Sequence, residues 1–264
     1  MSTSLILQTD ARGVASLTLN RAEKHNAFDD TMIADLLQVL DNIQNDNSIR
    51  VLVLRAAGKS FSAGADLGWM RRMADYDQEQ NIADARKLAS LMYRLDRLNK
   101  PVIALVQGAS FGGGVGLIAC CDIAIASVNV IFSLSEVRLG LIPSVISPYV
   151  ITAMGSRAAR RYFLSGERFD AARALQLGLV HEVVEPEALD ASLEQCIDAL
   201  LISGPNAQAT AKELIRHVHG RAIDESLIEE TARRIAEVRA SDEAREGLSA
   251  FLEKRKPDWS GDQD

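Results

Sequence analysis

The sequence contains few cysteines, no excess of basic residues and no long apolar stretch. Its 264 residues include three cysteines, two of them adjacent at Cys120 and Cys121, which cannot form a disulfide framework and indicate a reducing compartment. The net charge of −7 disfavours nucleic acid as a partner. Residues 1–10 lack the basic and apolar regions of a secretory signal, and no apolar run approaches the ~20 residues of a membrane-spanning helix. We therefore predict a soluble, cytoplasmic protein without a membrane or nucleic-acid partner.

The composition and the hydrophobic periodicity are those of a globular α/β protein. Hydrophobic residues make up 47% of the chain and charged residues 25%, which argues against disorder. Alternating or continuous apolar runs predict strands at 15–19, 51–54, 101–106 and 122–126. Helical spacing of apolar residues occurs near 32–43 and 88–98, and it dominates beyond about residue 150, at 171–177, 189–201, 207–218 and 228–239. This alternation predicts an α/β body followed by a helical C-terminal part.

Two segments of small residues follow predicted strands. Residues 56–66 are predicted to be a loop that ends in Ser-Ala-Gly-Ala-Asp, and residues 108–116 contain a triple glycine at 112–114. Small side chains let a ligand approach backbone N–H groups, and a helix beginning at the glycines adds its dipole. Such turns can stabilise an oxyanion. The alternative is purely structural, a tight turn in the first segment and close strand–helix packing in the second.

A single carboxylate is the clearest candidate for acid/base chemistry. Glu136 lies among apolar neighbours in residues 134–143, where desolvation would disfavour its charged form and suit it to proton transfer near neutral pH. The alternative is a solvated surface glutamate. The histidines do not form a metal-ligand pattern with nearby carboxylates, and no Gly-x-Ser-x-Gly elbow is present. The sequence therefore predicts no metal site and no serine-hydrolase triad.

Taken in order, these segments resemble the enoyl-CoA hydratase/isomerase (crotonase) superfamily over nearly the whole chain. The matching residues are Asn20-Arg21, Asn26-Ala27, 61–66, 100–104, Gly108 with 112–114, Cys121-Asp122, Glu136, Gly140, Pro143, 178–180 and 251–255. The resemblance implies an α/β crotonase-like spiral of repeated ββα units, over residues 1–195, that carries an acyl-CoA site. It also implies a helical oligomerisation region, over residues 196–264, that forms a homotrimer or homohexamer.

The resemblance also assigns the acyl-CoA site. The thioester oxygen would be bound by the backbone N–H groups of Ala65 and Gly113, which lie in the two small-residue segments described above. Coenzyme A would be part of the substrate, and no separate cofactor is expected. It would lie along Ala27, Phe28, Ala63, Asp66 and Leu67. Phe251 and Lys254 of the C-terminal helix would approach its adenosine phosphates.

The chain departs from the usual pattern of two glutamates in these hydratases. Gly116 stands at the first position and Glu136 at the second. A single glutamate is found in enoyl-CoA isomerases, but residues 111–122, 134–140, 146–149 and 157–162 resemble bacterial 3-methylglutaconyl-CoA hydratases. We therefore predict a hydro-lyase that hydrates a 3-substituted glutaconyl-CoA, either 3-methylglutaconyl-CoA or isohexenylglutaconyl-CoA, in leucine or acyclic-terpene catabolism.

Within this prediction, Glu136 is the general acid/base, and either the substrate's own carboxylate or Ser144 orients the water. The distal carboxylate would be bound by Arg71 or Arg72, for which the alternative is a helix surface. Pocket depth, set by Trp69, Met70, Met73 and Tyr149, would decide between the two glutaconyl esters. The alternatives for the whole chain are an enoyl-CoA isomerase that uses Glu136 alone, or a non-catalytic protein that binds acyl-CoA or RNA.

Overall fold

The computed structural model describes residues 4–260, which form ten strands and ten α-helices. The strands are Leu5–Thr9 (β1), Val14–Leu19 (β2), Val51–Ala56 (β3), Ser60–Ser62 (β4), Val102–Val106 (β5), Ala109–Phe111 (β6), Ile123–Ser127 (β7), Ile131–Ser133 (β8), Arg168–Asp170 (β9) and Glu182–Val184 (β10). The helices are Asp30–Asn45 (α1), Leu67–Met73 (α2), Gln78–Arg97 (α3), Gly113–Ala119 (α4), Ser147–Ser165 (α5), Ala171–Leu177 (α6), Leu189–Leu201 (α7), Pro205–Val218 (α8), Glu225–Arg239 (α9) and Asp242–Glu253 (α10).

The strands form two sheets, and from β3 to β8 consecutive strands of the chain alternate between them. The larger sheet has the order β1-β2-β3-β5-β7-β10 and the smaller one β4-β6-β8-β9. All neighbours are parallel except β1–β2 and β8–β9. The pairs β3–β4, β5–β6 and β7–β8 each place one strand in each sheet, and a helix follows every pair. This arrangement confirms the predicted α/β fold of repeated ββα units.

The larger sheet is covered on both faces. Leu52 and Leu54 of β3 belong to a core that also contains residues of α1 and α3. Val51 and Val53 belong to a second core, which α7 completes. Because strand side chains alternate between faces, a strand covered on both sides must be apolar throughout, which is the pattern that predicted β3 and β5.

The structure corrects several predictions about secondary structure. Residues 56–66, predicted as a loop, contain β4, and the region predicted to be helical contains β9 and β10. Strands of three residues are too short to show a period. Helix α5 was not predicted, and α10 was expected only from the resemblance, as the C-terminal helix that carries Phe251 and Lys254. In α5 the pattern is interrupted at Gly155, whose φ of 76° and ψ of 153° break the helical geometry.

Helix α7 joins the sheet to the C-terminal helices. Leu193 and Ile197 lie in the same core cluster as Val51 and Ile103 of the sheet, so the predicted domain boundary at residue 195 falls inside a helix that packs on the sheet. The division into residues 1–195 and 196–264 stays a prediction. Among residues 4–260, no helix is both long and apolar enough to cross a membrane.

Candidate active site

The turn between β4 and α2 exposes one backbone amide. Phe28 forms a parallel bridge with Ala65: the Phe28 N–H donates to Gly64 O (2.8 Å), and the Asp66 N–H donates to Phe28 O (3.0 Å). In a parallel bridge the partner's own amide points to the other side. The Ala65 N–H is therefore directed away from Phe28, and within residues 4–260 it donates to no protein acceptor.

Asn26 holds this turn in place. Its buried side chain accepts from the Arg21 N–H (2.8 Å) and donates to Ala57 O and Ser60 O (both 2.8 Å), while Ser62 Oγ donates to Asn26 O (2.9 Å). A buried amide with all these bonds made rigidifies its surroundings. The sequence motif included Asn26 without assigning it this positioning role.

A second exposed amide lies where β6 meets α4. Gly112, with φ of 51°, caps α4, and its N–H donates to Ser133 O (2.9 Å). Gly113 is the first residue of α4, so its N–H has no acceptor within the helix. The two turns are in contact, since a Cβ on Gly64 would lie 3.7 Å from Gly113 N. A Cβ on Gly113 would come well within 3.0 Å of the Phe28 ring, which explains why residue 113 has no side chain.

Both amides open into one cavity of about 650 Å³. Its lining is mainly apolar and comes from α2, α3, the two turns and the segment between Ser135 and α5. The lining residues are Phe28, 63–65, Trp69, Met70, Met73, Asn81, Asp84, Ala85, Leu88, 111–113, 135–136 and 139–146. A concave apolar cavity with a few converging polar groups has the character of a small-molecule site.

Glu136 lies beside the second amide. A Cβ on Gly112 would lie 3.0 Å from Glu136 Oε1, which places the carboxylate next to the start of α4. Within the described part of the chain, Oε2 is buried and accepts no hydrogen bond. Burial raises the pKa of Glu136, and a hydrogen bond from its own backbone N–H lowers it, with a net increase. This carboxylate is therefore desolvated and available for proton transfer.

The other predicted site residues separate into two groups. Ala63, Phe28 and Ser144 line the cavity together with Ala65, Gly113 and Glu136. Ala27 is buried, and Leu67 is 72% exposed; neither lines the cavity. Gly116 is buried in α4 and does not line it either. Asp66 caps α2 by accepting from the Gly68 and Trp69 N–H groups and forms ion pairs with Arg21 and Lys24 (3.3 and 3.1 Å).

The predicted cation for a distal carboxylate does not reach the cavity in this chain. Arg72 is turned toward α1, where its guanidinium donates to Asp30 Oδ1 (2.6 Å), and Arg71 is exposed. Among the described residues that line the cavity, none is lysine, arginine or histidine. Phe251 is 80% exposed on α10, Lys254 ends that helix, and neither lines the cavity of its own chain.

The sequence reasoning did not identify Asp84, a second carboxylate in the cavity. Asp84 lies on α3 one turn before Leu88, and the Trp69 Nε1–H donates to its Oδ1 (3.3 Å). Its position on the apolar stripe of α3 was the feature of the sequence that could have identified Asp84 as a site residue. Within residues 4–260, no group of three or more histidine, cysteine or acidic side chains could hold a metal ion.

Comparisons with known proteins identify the family of the chain. A family model described as enoyl-CoA hydratase/isomerase matches residues 9–262. The chain is 35% identical over 250 residues to the 2,3-dehydroadipyl-CoA hydratase of Escherichia coli, covering 94% of this chain and 95% of that protein. It is 32% identical over 259 residues to the short-chain-enoyl-CoA hydratase of Clostridium acetobutylicum, covering 96% of each.

A solved structure of an enoyl-CoA hydratase from Shewanella pealeana superposes with a TM-score of 0.94 at 52% identity, covering 97% of this chain and 96% of that one. The prediction that the chain is an enzyme of the enoyl-CoA hydratase type is thereby confirmed. The family model, the relatives and the solved structure agree with one another. The chain therefore belongs to the enoyl-CoA hydratase/isomerase family.

Proposed function

We propose that this chain adds water to the double bond of an enoyl-CoA thioester, with Glu136 as its one general acid/base. The observation that carries the proposal is the position of Glu136, with a buried and unpartnered Oε2, beside the turn that exposes the Gly113 amide. Ala65 supplies the second amide on the opposite turn. The two N–H groups can stabilise the enolate oxygen of a conjugated thioester, and the one desolvated carboxylate can transfer the proton that hydration requires.

The proposed reaction uses each group once. The thioester oxygen accepts from the Ala65 and Gly113 N–H groups, which stabilise the enolate that forms when water attacks C3. Glu136 takes a proton from the attacking water as the C3–O bond forms. The same carboxylic acid then donates that proton to C2, so that one water is added across the double bond and Glu136 regains its charge.

The proposed substrate is a branched 3-substituted glutaconyl-CoA, either 3-methylglutaconyl-CoA or isohexenylglutaconyl-CoA, in leucine or acyclic-terpene catabolism. The apolar wall formed by Met70, Met73 and Leu88 supports a branched acyl chain. The relative named 2,3-dehydroadipyl-CoA hydratase supports a dicarboxylic thioester, since its name specifies one. Arg72 is paired with Asp30 and gives the distal carboxylate no support.

The second candidate function is isomerisation, because a single glutamate can also move one proton between C2 and C4. The two reactions differ in ultraviolet absorbance: hydration removes the conjugated enoyl-thioester band, and isomerisation of a 3-enoyl thioester creates it. We expect the band to disappear with 3-methylglutaconyl-CoA and a 3-hydroxyacyl-CoA to appear by mass spectrometry. Conversion of a 3-enoyl thioester with no hydration of any 2-enoyl thioester would favour the isomerase.

Glu136→Gln tests the assigned residue. The amide keeps the size of the side chain but cannot accept a proton, so we expect kcat to fall by about 10²–10⁴-fold with little change in KM. Glu79→Gln on α3, an exposed carboxylate outside the cavity, is the matched control. Near-normal turnover by the Glu136→Gln enzyme would refute the single-glutamate mechanism.

We further propose that the enzyme assembles as a homotrimer or homohexamer. The outer faces of the C-terminal helices support this, because Leu248, Phe251 and Leu252 of α10 are 58%, 80% and 78% exposed. Large exposed apolar side chains on one helix are typical of an interface. In such an assembly Phe251 and Lys254 would contact coenzyme A bound mainly by a neighbouring subunit.

A further inference from the structure

Asp84 is a carboxylate that faces the acyl cavity and takes no part in the proposed reaction. It lies on α3 in the same wall as Asn81, Ala85 and Leu88. The Trp69 Nε1–H donates to its Oδ1, and Trp69 is itself only 3% exposed. Within residues 4–260, Oδ2 of Asp84 accepts no hydrogen bond. A buried indole therefore fixes the carboxyl group and leaves one oxygen open to a ligand.

The charged groups around Asp84 do not neutralise it. Burial is the largest influence and raises its pKa, the Trp69 hydrogen bond and the charges of Lys87 and Arg72 lower it, and Asp30 raises it, with a net increase. Lys87 is on α3 itself, Arg72 on α2, and Asp30 at the start of α1. Arg72 is bound to Asp30, and neither Lys87 nor Arg72 lines the cavity.

We propose that Asp84 is the specificity-determining residue for the far end of the acyl chain, and that a dicarboxylic acyl group binds with one proton shared between its distal carboxylate and Asp84. The inference rests on the proposed function, in which this cavity holds the acyl chain. Two carboxylates that meet in a cavity lined by no cation among residues 4–260 repel each other when both are ionised, which favours a proton on one of them. Binding therefore takes one proton from solvent, which remains in a hydrogen bond between the two carboxyl groups.

The proposal makes selectivity depend on pH in a defined direction. Below the pKa of the pair, Asp84 carries the proton and donates to the substrate carboxylate. Above it, both groups are ionised and repel each other. Because one proton is taken up, kcat/KM for the dicarboxylic thioester falls by up to tenfold per pH unit as the pH rises. A monocarboxylic thioester does not have this dependence.

The test compares 3-methylglutaconyl-CoA with 3-methylcrotonyl-CoA, which lacks only the distal carboxylate, from about pH 5 to about pH 8. The ratio of their kcat/KM values cancels the titration of Glu136, which is common to both. We expect the ratio to fall with pH in the natural protein and to be independent of pH in Asp84→Asn, whose amide donates at every pH. Glu79→Gln, a matched change on the same helix, should keep the natural dependence.

Trp69→Phe gives an independent test, since it removes a hydrogen bond that lowers the pKa of Asp84. We expect the fall in the ratio to move to higher pH in this variant. If one of the two thioesters binds without being hydrated, its inhibition constant is used in the comparison in place of kcat/KM. A ratio independent of pH in the natural protein, or a dependence unchanged in folded Asp84→Asn, would overturn the inference. Failure to hydrate either thioester would instead refute the proposed function.

Discussion

Gly116 of α4 packs directly against Ile146, the residue before α5: a Cβ on residue 116 would come well within 3.0 Å of Ile146 Cγ2. The position that the sequence resemblance matches to the first of the two hydratase glutamates is therefore closed by an apolar side chain. The absence of that glutamate and the presence of Ile146 are two parts of one packing arrangement.

Gly116→Glu should therefore destabilise the protein without creating a second catalytic carboxylate. Overpacking of this kind costs about 1–3 kcal/mol, measurable by urea denaturation. Ile146→Ala should recover much of that loss when combined with Gly116→Glu, because the two residues share one space. Simple addition of the two single-variant losses would contradict the contact.

The pH dependence of hydration should report the environment of Glu136. Its pKa is raised chiefly by burial, and the carboxylate must be ionised to take a proton from water. Activity should therefore be lost as the pH falls through this raised pKa, above the ~4.3 of an ordinary glutamate. The measurement is kcat/KM for crotonyl-CoA against pH. An acid limb at or below the ordinary glutamate value would contradict a desolvated Glu136.

Ala65→Pro should remove one of the two oxyanion donors. Proline has no N–H, and the loss of one such donor lowers kcat by about 10²–10³-fold. Ala65→Gly, which keeps the N–H, is the matched control and should retain most of the activity. Circular dichroism checks the fold of both variants. A folded Ala65→Pro enzyme with normal turnover would show that the Ala65 amide does not bind the thioester oxygen.

Lys212 of α8 should stabilise the protein through its ion pair with Asp122. Lys212 Nζ lies 2.6 Å from Asp122 Oδ2, and the two side chains are 11% and 29% exposed. Lys212→Met leaves a largely desolvated carboxylate unpaired, which should cost about 2 kcal/mol after allowance for its partial exposure. Asp122→Asn in the same protein should recover part of the loss.

The loss in Lys212→Met should also depend on pH. Burial already raises the pKa of Asp122 and Lys212 lowers it, so removal of Lys212 raises it further. A folded-state pKa above the unfolded value means that stability is present at low pH and lost as the pH rises through it. Urea denaturation should therefore show a smaller loss near pH 4 than near pH 8. A loss independent of pH would contradict an ion pair.

Assembly is tested by changing α10 without cutting the chain. The segment after α10 is tied to the body, since Arg50 donates to Trp259 O (2.9 Å), and truncation before Glu246 would also remove this contact. Phe251→Ala with Lys254→Ala should raise KM for CoA esters by about tenfold while kcat changes little. Light scattering should show a trimer or hexamer. A fully active monomer with an unchanged KM would refute the assembly.

Local patterns in the sequence were sufficient to predict the main elements of the fold. The continuous apolar runs of β3 and β5 and the helical stripes of α1 and α3 depend on neighbours along the chain, so periodicity reveals them. The glycine turn before α4 and the lone Glu136 were visible for the same reason, as residue types that suit one local chemistry. The strands of the smaller sheet have three residues each, and only pairing with distant strands defines them.

Only the tertiary structure decided where side chains point and which distant residues they contact. Sequence proximity suggested that Arg72 serves the substrate, but folding places Asp30 within 2.6 Å of it and turns it to the surface. Asp84 and Trp69 are 15 residues apart, and Gly116 and Ile146 are farther still, so no local pattern relates them. Contacts between distant segments form only when the chain folds around its hydrophobic core. These contacts determine which polar groups face the cavity.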